Sequence, residues 1–234
     1  MTKNEKVENI LSKKVYNFDD LCLIMEILRG EGGCPWDAEQ THESIRKNFI
    51  EETYEVIEAI DNKDTALLRE ELGDVLLQVV FHTQMEKEAG NFTIDDVAND
   101  VCVKLVHRHP HIFGDISAST ADEVLTNWEA IKNVEKSRET MHDKLSSIPP
   151  MTPALMRASK VAKKSGEYKQ ASPTEIVFAI ENQLNDIKNN DAKISDSEMG
   201  ELLFLLGVLA SKYDIDAEES LYKKTNSFIE KYKD

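Results

Sequence analysis

Six carboxylates stand out in residues 51 to 81, "EETYEVIEAIDNKDTALLREELGDVLLQVVF": Glu51, Glu52 and Glu55 in one amphipathic run, then Glu70, Glu71 and Asp74 in a second run that is otherwise largely Leu and Val. Residues three or four apart share a helix face, so Glu52 and Glu55 project together, and so do Glu71 and Asp74. If the two runs fold back on each other about "DNKDT", the two pairs meet. Two like charges about 4 Å apart cost about 4 kcal/mol at an effective dielectric of 20. Convergence therefore demands protons or a metal ion. Oxygen-only ligands favour a hard divalent cation, and Mg²⁺ keeps waters and shares its coordination with substrate phosphates. Acids on helices are most often merely solvated. Here the apolar surroundings of Glu71 and Asp74 leave little exposed face. Gly73, which costs about 1 kcal/mol relative to Ala in a helix interior, points to close approach by another backbone or a ligand.

The elements that position these acids are helical. Ile50, Tyr54, Ile57 and Ile60 follow one stripe; Leu68, Leu72, Val75, Leu76 and Val79 follow another. No convincing alternating strand appears, so the fold class is all-α. Glycine and proline gather at "RGEGGCPWD" (29–37), "HRHPHIFGD" (107–115) and "SSIPPMTP" (146–153), which read as loops between helical blocks. Residues 151–234 carry a net charge of −2 and the preceding residues −14, so a domain boundary is placed near residue 150, dividing the chain into 1–150 and 151–234. A faint repeat links "EELGDVLLQVV" (70–80) to "SEMGELLFLLG" (197–207), which suggests two related helical halves.

Composition excludes several classes. A formal charge of −16 repels nucleic acid polymers, while a small phosphorylated ligand is allowed where cations accompany it or basic side chains are locally concentrated. Three scattered cysteines without Cys-x-x-Cys spacing fit a reducing compartment, and the cytoplasm is the expected location. The longest apolar run, "LLFLLGVLA", is about half the length of a membrane-spanning helix, and the N-terminus lacks the apolar core of a signal peptide, so no membrane partner is expected.

"EETYE" followed by "ELGD" resembles the Glu-Glu-x-x-Glu, spacer, Glu-x-x-Asp signature of the MazG nucleoside triphosphate pyrophosphohydrolases. The flanking segments "GGCPWDAEQTHESI", "LVHRHPHIFGD", "EVLTNWEAIK" and "PALMRASK" are similar to segments of the two-domain bacterial members. The resemblance covers most of the chain. It implies an all-α, homodimeric, Mg²⁺-dependent enzyme that converts a nucleoside triphosphate and water into the monophosphate and pyrophosphate. The implied metal ligands are Glu52, Glu55, Glu71 and Asp74. Glu51 is left to help hold a second metal or to take the proton of the attacking water, a role that depends on reach to that water. Lys104 and Arg108, one turn apart in "KLVHR", match the family's phosphate-contacting positions, although by themselves they read as an ordinary exposed pair. Lys47 is a weaker candidate of the same kind. Trp36 and Trp128 are the only tryptophans and could stack a nucleobase, or serve as core or dimer interface.

Other chemistries fit less well. His107, His109 and His111 invite a zinc reading, but Pro110 interrupts their helix and no cysteine sits at finger spacing. A di-iron bundle wants two Glu-x-x-His motifs, and only "ETMH" (139–142) fits. The second half looks degenerate. Asn182 and Gln183 stand where the paired Glu should be, Asp186 alone remains of that trio, Glu201 replaces the expected Asp, and Ser227 and Lys231 replace the basic pair. Catalysis is therefore expected in residues 1–150. The competing class is a catalytically silent nucleotide-binding or regulatory protein with the same fold.

Overall fold

The structure, a computed structural model, describes residues 1–136, 140–189 and 193–232. Among these are fourteen α-helices and no strand. They divide into two compact units, Met1–Ile116 and Ser117–Asp234.

The first unit holds α1 (Lys3–Ser12), α2 (Phe18–Arg29), α3 (Pro35–Glu39), α4 (His42–Asp61), α5 (Thr65–Glu88), α6 (Ile94–Arg108) and α7 (Pro110–Phe113). Local chemistry sets the ends of the two long helices. Thr41 caps α4 by accepting from the Ser44 amide, and the Ser44 hydroxyl returns to the Thr41 amide. The expected "DNKDT" turn is present. Lys63 takes φ +54° and Asp64 accepts from the amides of Ala66 and Leu67 to start α5. Gly90 follows α5 at φ +75°, a conformation that favours glycine.

The core of this unit gathers Met25 of α2, Ile45 of α4, and Val80, Phe81 and Met85 of α5. It occupies the end of the α4/α5 pair where α4 begins and α5 finishes. The other end is not built that way. Ile50, Tyr54, Ile57 and Ile60 are all exposed, and so are Leu72 and Leu76. The apolar stripes read from the sequence do not turn into the unit's own core. There Ala59 is buried and Val56 half-buried on α4, beside the acids Glu52 and Glu55.

The second unit holds α8 (Ala121–Glu135), α9 (Met141–Ser146), α10 (Ala154–Lys164), α11 (Gly166–Gln170), α12 (Pro173–Asn189), α13 (Asp196–Lys212), α14 (Ala217–Ile229) and a 3₁₀ turn at Glu230–Tyr232. Its core joins Ala162, Ile176, Ile180, Leu205 and Val208 from α10, α12 and α13. Helices α10 and α13 approach closely at Gly207, where an added Cβ would lie 2.9 Å from the Ala158 Cβ, and the Ser159 hydroxyl donates to the Gly207 carbonyl at 3.0 Å. The division between units falls ahead of the charge shift near residue 150. Prolines 149 and 150 mark a turn inside the second unit, where α9 packs on α10 and Glu129 of α8 lies 3.6 Å from Lys164 of α10. The repeated segments fall on α5 and α13, each packed against the preceding long helix.

Candidate active site

The long α4/α5 contact is antiparallel, since His42 near the start of α4 meets Glu86 near the end of α5, while Glu55 meets Glu71. This register brings Glu52, Glu55 and Glu71 together, with one carboxylate oxygen from each lying within 4.8 Å of the other two. No other group of three metal-capable side chains converges in this way among the described residues. Glu71 is buried, Glu52 half-buried and Glu55 exposed, so the cluster opens to solvent along α4.

Burial pushes the Glu52 carboxyl above the usual carboxylate range, and the charges of Asp74, Glu55 and Glu51 add to the shift. Glu71 rises in the same direction, first by burial, then by its approach to Glu55, with Asp74 and Glu70 contributing. Acids held in this way must either keep protons or meet a cation. Asp74, the fourth expected ligand, is half-buried and lies outside the tight trio, although its charge reaches both Glu52 and Glu71. Glu51 is exposed beside Glu52.

The donor set fits a hard divalent cation, because it offers carboxylate oxygens alone. Gln78 lies one turn beyond Asp74 on the same face of α5. It is buried, and its Oε1 has no hydrogen-bond partner among the described residues. Gly73 meets no protein atom within 4 Å of an added Cβ, so no backbone of the same chain approaches it. The expected crowding at Gly73 is therefore absent within one copy.

The candidate substrate-binding residues are dispersed. Lys47 is exposed on α4, one turn before Glu51. Lys104 is exposed on α6, but Arg108, at the C-terminal end of that helix, is buried at 7% exposure. The expected pair is thus one open and one enclosed cation. Trp36 is 58% exposed on α3. Its loop is fixed by a residue the sequence reading missed. Arg29 donates to the carbonyls of Asp37 and Gln40, pairs with Glu88 at 2.9 Å, and lies 5.3 Å from the centre of the Phe81 ring. Nothing in the local sequence distinguishes Arg29 from any basic residue in a last helical turn. Trp128 is half-buried on α8, in the second unit.

The histidine run forms no metal cluster among the described residues. His109 and His111 lie 5.5 Å apart, and the His109 Nδ1 is 2.6 Å from the Leu105 carbonyl. Glu139 of the "ETMH" segment lies outside the described residues. In the second unit Asn182 and Asp186 are exposed on α12, Gln183 is half-buried and Glu201 is exposed on α13. No helix of the described residues is long and apolar enough to cross a membrane.

An all-α chain with an acid trio held between two paired helices is the class that these observations define. Residues 40–113 match the model of the MazG nucleotide pyrophosphohydrolase domain. Over 219 residues the chain is 41% identical to the nucleoside triphosphate pyrophosphohydrolase/pyrophosphatase MazG of Thermotoga maritima, covering 92% of this chain and 84% of that protein. It is 39% identical over 226 residues to the nucleoside triphosphate pyrophosphohydrolase of Escherichia coli K12, covering 92% and 86%. A third relative, YabN of Bacillus subtilis, is 40% identical over 224 residues, which span 93% of this chain and 46% of that protein. The chain belongs to the MazG nucleotide pyrophosphohydrolase family.

Proposed function

We propose that this protein hydrolyses nucleoside triphosphates to the monophosphate and pyrophosphate, using Mg²⁺ held by Glu52, Glu55 and Glu71, with Asp74 completing the set. The observation that carries the reading is the trio of carboxylates within 4.8 Å, two of them pushed toward the protonated form, in a member of this family. When bound, Mg²⁺ supplies charge neutralisation at phosphate oxygens and acidifies a coordinated water. Glu51, exposed beside the trio, is the group free to take the proton of the attacking water. The water oxygen bonds to the α-phosphorus as the α–β bridging bond breaks, and pyrophosphate leaves with that bonding pair. Lys47, Lys104 and Arg108 are assigned to the phosphates, and Trp36 and Trp128 to base stacking or interface.

Two features extend the reading. The exposed Ile50, Tyr54, Ile57, Ile60, Leu72 and Leu76 form more apolar surface than a single copy covers, which supports a homodimer through α4 and α5. The second half, with amides at 182 and 183, is assigned to packing and association, and catalysis to the first. A cytoplasmic location accords with the free thiols of Cys22, Cys34 and Cys102.

Separation of the products formed from ATP, dGTP and other triphosphates with Mg²⁺ tests the reading. Monophosphate and pyrophosphate are expected. Release of diphosphate and phosphate would refute the assigned bond, and nucleotide binding without turnover would favour a silent sensor.

A further inference from the structure

The α4/α5 pair carries a second polar cluster, remote from the acids. His42, the first residue of α4, places Nδ1 2.7 Å from Nδ1 of His82 on α5 and Nε2 2.6 Å from Oε1 of Glu86. The two rings are nearly parallel, with centres 5.0 Å apart. Asn91 Nδ2 donates to the second oxygen of Glu86 at 2.6 Å, and Phe49 lies 5.9 Å from the His82 ring. The result is a chain of bonds from Asn91 through Glu86 and His42 to His82 that ties the start of α4 to the end of α5.

This chain and the acid trio are two contacts in one helix pair. Thirteen residues, about 20 Å of helix, separate His42 from Glu55 on α4; the span from Glu71 to His82 or Glu86 on α5 is about 17 to 23 Å. Sliding or rotating either helix to loosen one contact displaces the other. Between them along α5 lies Gln78, buried and with no hydrogen-bond partner at its Oε1 among the described residues.

Only one hydrogen fits between two Nδ1 atoms 2.7 Å apart. The contact therefore exists when one ring donates and the other accepts. If both rings are imidazolium, two N–H groups face each other and two positive charges lie side by side. The surrounding charges are few. Glu86 takes the far side of His42, Glu43 and Arg46 follow His42 on α4, and on the α2 side of α5 the charges are paired as Arg29 with Glu88 and Lys87 with Glu26.

We infer that His42 and His82 form a clasp that sets the register of α4 against α5, and so positions the acids, closed while a single hydrogen lies between the rings and opened when both are protonated. His82 is a positioning residue; it acts through the helix pair and touches no reacting atom. The inference rests on the reading of the acids as a metal site. Burial, then the neighbouring His42, holds the His82 ring below the ordinary histidine range, so the clasp survives mild acid. The sign follows. A depressed value contributes stability that is present above about pH 6.5 and lost as pH falls through the lowered value of His82.

The test is Mn²⁺ binding to the full chain, followed by electron paramagnetic resonance from pH 5 to pH 8, in wild type, His82→Phe and His82→Asn. Phenylalanine keeps a ring and removes the bond; asparagine keeps an amide near Nδ1 that does not titrate. His82→Phe should bind Mn²⁺ about tenfold more weakly at pH 8, in keeping with the cost of a small misplacement originating far from the chemistry. The affinity of wild type should fall more steeply in acid than that of His82→Asn, since both share the carboxylates and only wild type has the second histidine to protonate. Wild-type affinity in His82→Phe, or superimposable pH profiles in wild type and His82→Asn, would overturn the clasp alone. If His82→Phe fails to fold by circular dichroism, the His82→Asn profile decides. Absence of Mn²⁺ binding in wild type would overturn the metal reading and this inference with it.

Discussion

Replacing Glu55 by Gln should reverse the order of stability with and without metal. In the metal-free protein the Glu55 carboxylate lies within 4.8 Å of those of Glu52 and Glu71. Two full charges at that distance repel by about 3.5 kcal/mol at an effective dielectric of 20 and by about 1 kcal/mol in bulk water. Because Glu55 is exposed, the lower figure applies, and Glu55→Gln should gain about 1 kcal/mol, or roughly 4 °C in Tm. Metal acts the other way. At one hundred times its Kd a ligand adds about 2.7 kcal/mol to the protein that binds it, and the variant, with one anionic ligand fewer, forfeits most of that. Wild type should therefore melt below Glu55→Gln in chelator and above it in millimolar Mg²⁺. Turnover should fall by about 10² to 10³, since the lost charge stabilisation is worth several kcal/mol. Paired melting scans with EDTA and with Mg²⁺, alongside pyrophosphate release, make the comparison. A variant that melts below wild type in chelator and gains as much from Mg²⁺ would refute the reasoning. Asp74→Asn, outside the tight trio, should show the same pattern more weakly.

Three further outcomes are expected. The raised values of Glu52 and Glu71 mean that the folded, metal-free protein holds their protons more tightly than the unfolded chain; their contribution to stability is full below about pH 4.3 and is lost as pH rises through the raised values. Glu71→Gln should accordingly gain on wild type between pH 4.5 and pH 8 in urea titrations without metal, and an equal gap at both pH values would contradict this. Ile57→Asp, on the exposed stripe of α4, should shift sedimentation toward the 26.6 kDa monomer at micromolar concentration, whereas an unchanged dimer would place the interface elsewhere. Gly207→Ala should cost about 1 to 3 kcal/mol in the second unit, because its Cβ would lie 2.9 Å from that of Ala158 and 3.4 Å from the Leu155 carbonyl; a urea midpoint equal to wild type would show that α10 and α13 can part freely.

Much of this protein is legible in its sequence because helices are local. The apolar period and the "DNKDT" break define α4 and α5, and the three-residue spacing puts Glu52 with Glu55 and Glu71 with Asp74 on common faces. Helical period says which residues share a face but not what the face meets. The stripe of Ile50, Tyr54, Ile57 and Ile60 is exposed, while Glu52 and Glu55 beside it meet α5. Only the packing of α5 on α4 and α2 decides that arrangement. In this register Asp74 stays outside the tight trio of Glu52, Glu55 and Glu71, although its charge reaches Glu52 and Glu71. The antiparallel packing also brings His42 to His82 across 40 residues of chain, and on α6 Arg108 is buried while Lys104 stays in solvent. A histidine at the start of one helix and another near the end of the next carry no signal until the antiparallel register makes them neighbours. The sequence determined the helices and their acid faces; the tertiary structure alone determined which faces are shared, because burial depends on contacts between segments that no local pattern encodes.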